Sequence, residues 1–265
     1  MVLPASKITE LRRILRGFAA ANGPASVPGG GGKALEAWIF MRLAMAARAS
    51  GNWHVTLRRG DGSLLPMGDT FVFATYQAGI QAAVLSAPCY ALIENKATPA
   101  VALELHGSLQ WEGRSQATHE IDVSALPSSV ASALRAAGGG RPRGVPIVAI
   151  ECKDKTDSGT PDEMRQTLAR MFDLALVTPP RASNGCRISG PGNLAAWGSK
   201  GSSYRIVFEQ SLSAIARAGT FSKGARRLGV HYHIEQSGSV YDPAASAIRD
   251  LERKFLDVID EMDTY

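Results

Sequence analysis

The sequence predicts an α/β fold in which helices flank a mixed central β-sheet. Residues 145–150 form an apolar run rich in Val and Ile, which is typical of a buried strand. Residues 118–123 alternate between apolar and polar side chains, as the two faces of a strand require. Residues 33–49 are rich in Ala, Leu and Met, which favours a long helix.

The composition is that of an ordinary globular protein. The chain has 265 residues, of which 45% are hydrophobic and 20% are charged, so it has room for one large domain or two small ones. Its formal charge is +5 and its pI is about 9.2, which is compatible with a polyanionic partner. Many basic proteins bind no nucleic acid, so the charge does not by itself identify that partner.

The cysteines and the lack of long apolar segments indicate where in the cell the protein is expected. Cys89, Cys152 and Cys186 show no metal-ligand spacing, and their odd number favours a reducing environment. No apolar stretch approaches the roughly 18 residues of a membrane-spanning helix, and the N-terminus lacks the layout of a signal peptide. We therefore expect a soluble cytoplasmic protein with no membrane partner.

The predicted strand at residues 145–150 runs directly into charged residues. Successive side chains on a strand point to opposite faces, so Glu151 and Lys153 share one face and Cys152 points to the other. A carboxylate and an ammonium at the end of a buried strand are costly to desolvate unless something uses them. This cost makes the pair a candidate functional site.

The strand at residues 118–123 offers a partner for that pair. Glu120 and Asp122 lie on one of its faces, and Asp122 meets Glu151 and Lys153 if the two strands are neighbours. Oxygen-only ligands of this kind suit Mg²⁺, which takes one or two carboxylates and keeps several waters. The two strands together therefore predict a magnesium site.

These residues also carry a resemblance to a known family. Glu-Ile-Asp-Val, followed by Ile-Glu-Cys-Lys with 29 positions from Asp122 to Glu151, resembles the PD-(D/E)xK nucleases of the restriction endonuclease-like superfamily. The resemblance implies that Asp122 and Glu151 bind metal together with the backbone carbonyl of Cys152, and that Lys153 assists the attacking water. Ile121 stands before Asp122 in place of the Pro of the family pattern.

A further metal-binding acid on an early helix is frequent in that family, and Glu36 is the candidate here. Its alternative explanation is electrostatic, because a carboxylate in the first turn of a helix is stabilised by the helix dipole. Asp69 and Glu120 are rivals for the acid assigned to Asp122. Asp69 follows Gly68 at a predicted strand start, where Asp commonly serves a turn.

The resemblance implies a fold, an activity and partners. It implies a restriction endonuclease-like core and a Mg²⁺-dependent endonuclease, with Mn²⁺ as a substitute ion, that hydrolyses DNA in double-stranded form. A homodimer or larger homo-oligomer and a small-nucleotide or protein activator fit a role in restriction or antiviral defence. The alternatives are a DNA-binding or scaffolding module that kept the fold and lost catalysis, and a protein whose acid pair is structural.

Weaker signals complete the domain organisation. Residues 221–230 are similar to the helix–strand ending of Mrr-type restriction domains. We divide the chain into an N-terminal helix with a Gly/Pro loop (1–32), a nuclease domain (33–240) with insertions at about 60–111 and 179–202, and a C-terminal helix (241–265).

Local patterns predict the remaining elements. The predicted helices are 6–21, 127–137, 160–172, 212–217, 220–228 and one from 242, and the predicted strands are 53–59, 70–76, 90–94, 101–111, 175–178, 204–209 and 230–235. The strand at 145–150, the helix at 160–172 and the strand at 175–178 would form a parallel crossover unit.

Several other polar residues favour structural explanations. We expect His106 to be a hydrogen-bonded surface residue and Gln166 to lie exposed on the crossover helix. One more set shares a strand face, where a solvated surface explains it better than a metal site: His231, His233 and Glu235.

Overall fold

The computed structural model describes most of residues 31–152 and shorter pieces beyond them. The described residues are 31–74, 78–144, 146–152, 177–178, 187–188, 212–215, 230–233 and 246–262, together with Thr9, Arg13, Gln166, Ala169, Arg170, Asp173 and Leu174. Lys153 and the elements predicted at 204–209 and 220–228 lie outside the described residues.

A mixed sheet forms the centre of the fold. The helices with described bounds are α1 (Gly31–Ser50), α2 (Ser128–Ala136) and α3 (Ser246–Glu261). The described strands are β1 (Trp53–Arg58), β2 (Ile80–Gln81), β3 (Tyr90–Asn95), β4 (Ala102–Glu112), β5 (Thr118–Pro127), β6 (Gly139–Gly140), β7 (Val148–Cys152), β8 (Val177–Thr178), β9 (Arg187–Ile188), β10 (Leu212–Ile215) and β11 (Val230–His233). Seven of them form one sheet in the order β1-β3-β4-β5-β7-β10-β11.

The direction of the strands changes at β7. The strands from β1 to β7 pair antiparallel, whereas β10 runs parallel to both β7 and β11. The predicted α/β class with a mixed sheet is therefore confirmed. β1, β3, β4, β5, β7 and β11 lie where strands were predicted.

The hydrophobic core lies between α1, α3 and the sheet. Trp38 and Phe40 of α1 are almost fully buried, as are Leu251 and Phe255 of α3. Burying one such side chain stabilises the fold by roughly 1.5–3 kcal/mol, so the many buried residues of α1 fix it firmly. α1 also contacts β4 and β5, and Lys33 and Glu36 near its start reach Ser108 of β4.

The helix predicted at residues 212–217 is wrong. Residues 212–215 form β10, which lies beside β7 in the sheet. Leu-Ser-Ala-Ile is a short apolar run, and the periodicity of such a run does not distinguish a helix from a buried strand. Val177–Thr178 is a strand, as predicted, but it pairs antiparallel with Arg187–Ile188, and the parallel neighbour of β7 is β10. The predicted crossover partner is therefore wrong.

The strand predicted at residues 70–76 is not formed in its described part, residues 70–74. Phe71 and Phe73 both lie in the core. Their ring centroids are 5.5 and 6.1 Å, respectively, from the ring centroid of Phe40. The backbone N–H of Cys89 donates to the carbonyl of Val72 at 2.8 Å. Buried and less buried residues therefore alternate as predicted, but the described segment forms only an isolated β-bridge at Val72 and no strand.

The segment before α1 is described at only two positions. Thr9 and Arg13 are helical and exposed, which agrees with the helix predicted there. None of the described helices is long and apolar enough to cross a membrane.

Candidate active site

The strands β5 and β7 bring Asp122 and Glu151 together. They pair antiparallel with Val123 opposite Ile150, so one further step of the register places Asp122 opposite Glu151. Residues directly opposite on antiparallel strands have side chains on the same face. Both acids are buried, and Asp122 Oδ2 accepts a hydrogen bond of 2.6 Å from the backbone N–H of Cys152. The predicted neighbourhood of the two strands is thus observed.

Arg170 also enters this region. Its Nη1 atom lies 2.8 Å from Glu151 Oε1 and donates to the backbone carbonyl of Glu120 at 3.3 Å. Arg170 is helical and lies within the predicted crossover helix, whereas Gln166 on the same segment is exposed, as expected. Sequence reasoning missed Arg170, because no local pattern shows that it reaches Glu151.

Glu36 takes part in a second set of contacts beside the acid pair. Its Oε2 atom accepts hydrogen bonds from Lys33 Nζ at 2.8 Å and from Ser108 Oγ at 2.7 Å. Lys33 Nζ also lies 2.6 Å from Ser108 Oγ and 3.3 Å from Glu120 Oε1. Lys33 therefore links the acid of α1 to an acid of β5.

The helix-dipole explanation of Glu36 is wrong. α1 begins at Gly31, so Glu36 lies in the second turn and the first turn holds no acid. Burial raises the pKa of Glu36, and the hydrogen bonds from Lys33 and Ser108 offset this in part. Burial alone would lower the pKa of Lys33, but its contacts with Glu36 and the nearby acids outweigh burial and raise the pKa.

Ser108 has an uncommon backbone conformation at this site. Its φ is +50°, in the left-handed region that non-glycine residues seldom adopt. In β4, Gly107 pairs with Val123 and Leu109 pairs with Ile121, which leaves Ser108 at the level of Asp122. Ser108, Asp122 and Glu151 thus form a row across three neighbouring strands.

The donor atoms in this row fit a small hard cation. Asp122 and Glu151 are carboxylates, and Mg²⁺ is commonly held by one or two carboxylates with water in the other positions. Among the residues that the structure describes, no three His, Cys, Asp or Glu side chains gather as a metal-binding group. Glu36 lies with Lys33 and Ser108, so the described contacts do not join it directly to Asp122 and Glu151.

The rival Asp69 lies in a turn. It forms an ion pair with Arg59, and its Oδ1 atom accepts a hydrogen bond of 2.9 Å from the N–H of Thr70. The contact with Arg59 lowers the pKa of Asp69. These contacts agree with the turn role that its position after Gly68 predicts.

The expectation that His106 is a surface residue is wrong. His106 is buried, and its Nε2 atom lies 2.9 Å from Glu104 Oε2. Arg135 binds the same carboxylate through both terminal nitrogens. Tyr90 stacks on His106 with ring centroids 5.1 Å apart. Burial, with Glu104 nearby, raises the pKa of Tyr90 to about 12. This cluster ties α2 to β3 and β4.

His231 and His233 lie on β11, as predicted, and Glu235 lies outside the described residues.

Comparisons with protein-family models, curated proteins and solved structures find no match to this chain. The likeness to PD-(D/E)xK nucleases therefore rests on the chain's own motif residues. The structure adds one relationship to them, namely the placement of Asp122 opposite Glu151 on adjacent strands.

Proposed function

We propose that this protein is a metal-dependent endonuclease that hydrolyses DNA phosphodiester bonds and has a restriction endonuclease-like core. The observation that carries the proposal is the pair of buried acids on β5 and β7. Asp122 and Glu151 come from segments 29 positions apart, yet the register sets them opposite each other. Burying two carboxylates side by side is unfavourable unless cations or hydrogen-bond donors compensate.

The chain's own residues divide the chemistry. Asp122 and Glu151 would hold Mg²⁺, or Mn²⁺ in its place, with help from the backbone carbonyl of Cys152. The ion would lower the pKa of a water and stabilise charge on the phosphoryl oxygens. Lys153 follows Glu151 by two positions in the sequence; on a strand this spacing would give it the same face, from which it would orient the attacking water. Glu36 would act from α1 on the neighbouring side.

The partners in this proposal follow from charge and symmetry. The formal charge of +5 favours binding to the phosphate backbone, which supplies most non-specific affinity for DNA. A two-fold duplex favours a two-fold enzyme, so we propose a homodimer or larger assembly. Restriction or antiviral defence, with a small-nucleotide or protein activator, is the role that the family resemblance supports.

A plasmid cleavage assay tests the proposal. Supercoiled DNA is incubated with the protein in Mg²⁺, in Mn²⁺, in Ca²⁺ and in chelator, and nicked and linear products are resolved on a gel. Cleavage is expected in Mg²⁺ and Mn²⁺ only, because the looser coordination of Ca²⁺ positions water poorly. Glu151→Gln should remove cleavage, whereas Glu94→Gln, the same change on β3 of the same sheet, should not. Equal cleavage in chelator would contradict a metal mechanism.

A DNA-binding module without catalysis is the second candidate. The observation that favours it is that both acids already have partners from the protein, namely Cys152 N–H for Asp122 and Arg170 for Glu151. Such contacts satisfy buried carboxylates without a metal. A gel shift with DNA, together with no cleavage in any divalent ion, would select this candidate.

A further inference from the structure

Arg170 and Glu151 form an ion pair inside the proposed site. The distance from Nη1 to Oε1 is 2.8 Å, and the same nitrogen donates to the carbonyl of Glu120 at 3.3 Å. The side chain of Glu151 is 8% exposed and that of Arg170 is 31% exposed. The cation therefore reaches from the buried carboxylate towards solvent, where a substrate would arrive.

A second set of contacts fixes the segment that carries Arg170. Asp173 accepts hydrogen bonds from the N–H of Ser115 at 2.8 Å and from Ser115 Oγ at 2.7 Å, and it pairs with His119 Nε2 at 2.5 Å. The N–H of Arg114 donates to the carbonyl of Asp173 at 2.9 Å. The turn between β4 and β5 thus holds Asp173, three positions after Arg170.

Asp173 packs closely against the turn between β4 and β5. A Cβ atom on Gly113 would come within 1.9 Å of Asp173 Oδ2, so a side chain at Gly113 would displace the aspartate. Arg170 thus contacts Glu151 directly, and Asp173, three positions later, is held by the turn. A solvated surface arginine would have neither the ion pair with a buried carboxylate nor the neighbouring contacts of Asp173.

Two cations would therefore compete for one carboxylate in the proposed enzyme. A divalent ion at Glu151 and the guanidinium of Arg170 both neutralise the same charge, and they repel each other. A guanidinium that leaves a carboxylate can bind a phosphate, because its planar donors match both groups.

We propose that Arg170 is a counter-ion shared between Glu151 and the substrate. In the metal-free protein it neutralises Glu151, a divalent cation displaces it, and the displaced guanidinium binds a phosphate of the DNA. This inference rests on the proposed function, and it adds a substrate-contacting residue and a coupling between metal and DNA binding. The coupling is positive, because metal binding releases the group that binds DNA.

The test measures two affinities in the same proteins. Mn²⁺ binding is measured by calorimetry without DNA, and binding of a short DNA duplex is measured by fluorescence anisotropy in Ca²⁺. Arg170→Gln should bind Mn²⁺ about 10-fold more tightly and DNA about 10-fold more weakly, within the usual range of coupling between sites. Arg170→Lys keeps the charge but lacks the planar donors, so both of its shifts should be smaller than those of Arg170→Gln. Arg253→Gln, the same change at an exposed position of α3, is the matched control and should alter neither.

The opposite signs of the two changes distinguish this role from a structural one. A structural arginine would lower both affinities on removal, and that result would overturn the proposal. Unchanged Mn²⁺ affinity in Arg170→Gln, or no Mn²⁺ binding by any of the proteins, would also overturn it. If Arg170→Gln shows no cooperative melting, Asp173→Asn takes its place. This variant keeps Arg170 but weakens the contacts that hold Asp173 to the turn. It should bind Mn²⁺ more tightly and DNA more weakly, as Arg170→Gln does, by smaller factors. No change in either affinity contradicts the proposal.

The cleavage assay separates this inference from the proposed function. Opposite shifts in the two affinities with no cleavage by wild type would support the counter-ion and reject the nuclease. Cleavage by wild type with unchanged affinities in Arg170→Gln would support the nuclease and reject the counter-ion.

Discussion

Ser108 on β4 donates a hydrogen bond of 2.7 Å to the Glu36 carboxylate on α1, across 72 positions of sequence. Ser108 holds its hydroxyl there with a φ of +50° and is buried. A non-glycine residue in this region is strained by about 1–3 kcal/mol, and such strain concentrates at functional sites. The contact therefore links the conformation of the sheet to the placement of a candidate site acid.

The strain at Ser108 predicts an unusual order of stability among variants. Ser108→Ala and Ser108→Gly both lose the hydroxyl, but only glycine relaxes the left-handed backbone. We expect Ser108→Gly to melt at a temperature equal to or higher than that of Ser108→Ala. At an ordinary strand position the order is reversed, since glycine costs roughly 0.5–1 kcal/mol relative to alanine.

Ser124 provides the control for this order. It is buried on β5, accepts a hydrogen bond of 3.1 Å from Trp111 Nε1 and has no left-handed φ. Ser124→Gly should melt below Ser124→Ala. Thermal denaturation followed by circular dichroism gives all four melting temperatures, and the same order at both positions would contradict strain at Ser108.

Lys33 is expected to stabilise the metal-free protein. Its Nζ atom lies 2.8 Å from Glu36 and 3.3 Å from Glu120, so Lys33→Met leaves buried Glu36 without its cation. Leaving a buried group without its partner costs about 1–3 kcal/mol. Urea denaturation in chelator should show this loss, and Lys33→Arg should recover part of it. Lys96→Met, at an exposed lysine that binds the carbonyl of Gly51, should leave the stability within experimental error.

Glu104 should make the stability of the protein depend on acid pH. Burial alone would raise its pKa, but the contacts with His106 and Arg135 outweigh burial, so the pKa of Glu104 lies below its usual range. A carboxyl with a lowered pKa stabilises the folded state above its unfolded pKa, about 4.3 for Glu. That stabilisation is lost as the pH falls through the folded pKa.

Glu104→Gln should therefore cost most at neutral pH. Removing one partner of a buried ion pair costs about 3–5 kcal/mol, because the other charge stays buried without compensation. Urea denaturation at pH 7, 5, 4 and 3 gives the free energy of unfolding of both proteins. The difference between Glu104→Gln and wild type should become smaller as the pH falls. Glu94→Gln on β3 serves as control. A gap that is constant from pH 7 to pH 3 would mean that Glu104 does not contribute through its charge.

Strand periodicity was sufficient to predict the acid pair but not its surroundings. The alternation at residues 118–123 and the apolar run before Glu151 predict two buried strands, and the charges at their ends predict where a site lies. Periodicity does not show which residues approach from other elements. Arg170 reaches Glu151 from a separate helical segment, and Lys33 reaches Ser108 across 75 positions, so neither contact leaves a local signal.

The errors in the sheet have the same physical origin. β10 and the described residues 70–74 are short apolar segments whose local pattern fits more than one structure. β10 becomes a strand because β7 and β11 pair with it on both sides. Phe71 and Phe73 instead fill the core beside Phe40. Tertiary contacts decide such segments, and these contacts are not visible in a single sequence.

Asp122→Asn should separate cleavage from DNA binding. The amide keeps an oxygen for the N–H of Cys152, which now binds Asp122 Oδ2 at 2.6 Å, so the fold should be retained. It removes a negative charge from the place where a phosphate must approach, and it removes a ligand of the proposed metal. Cleavage in Mg²⁺ should fall below detection, while DNA binding in chelator should stay equal or become tighter, because basic residues supply most of the non-specific affinity.

Asp61→Asn, the same change in an exposed turn, is the control. Lost binding together with a large drop in melting temperature would make Asp122 a structural acid, and unchanged cleavage would move the metal-binding role to Glu120.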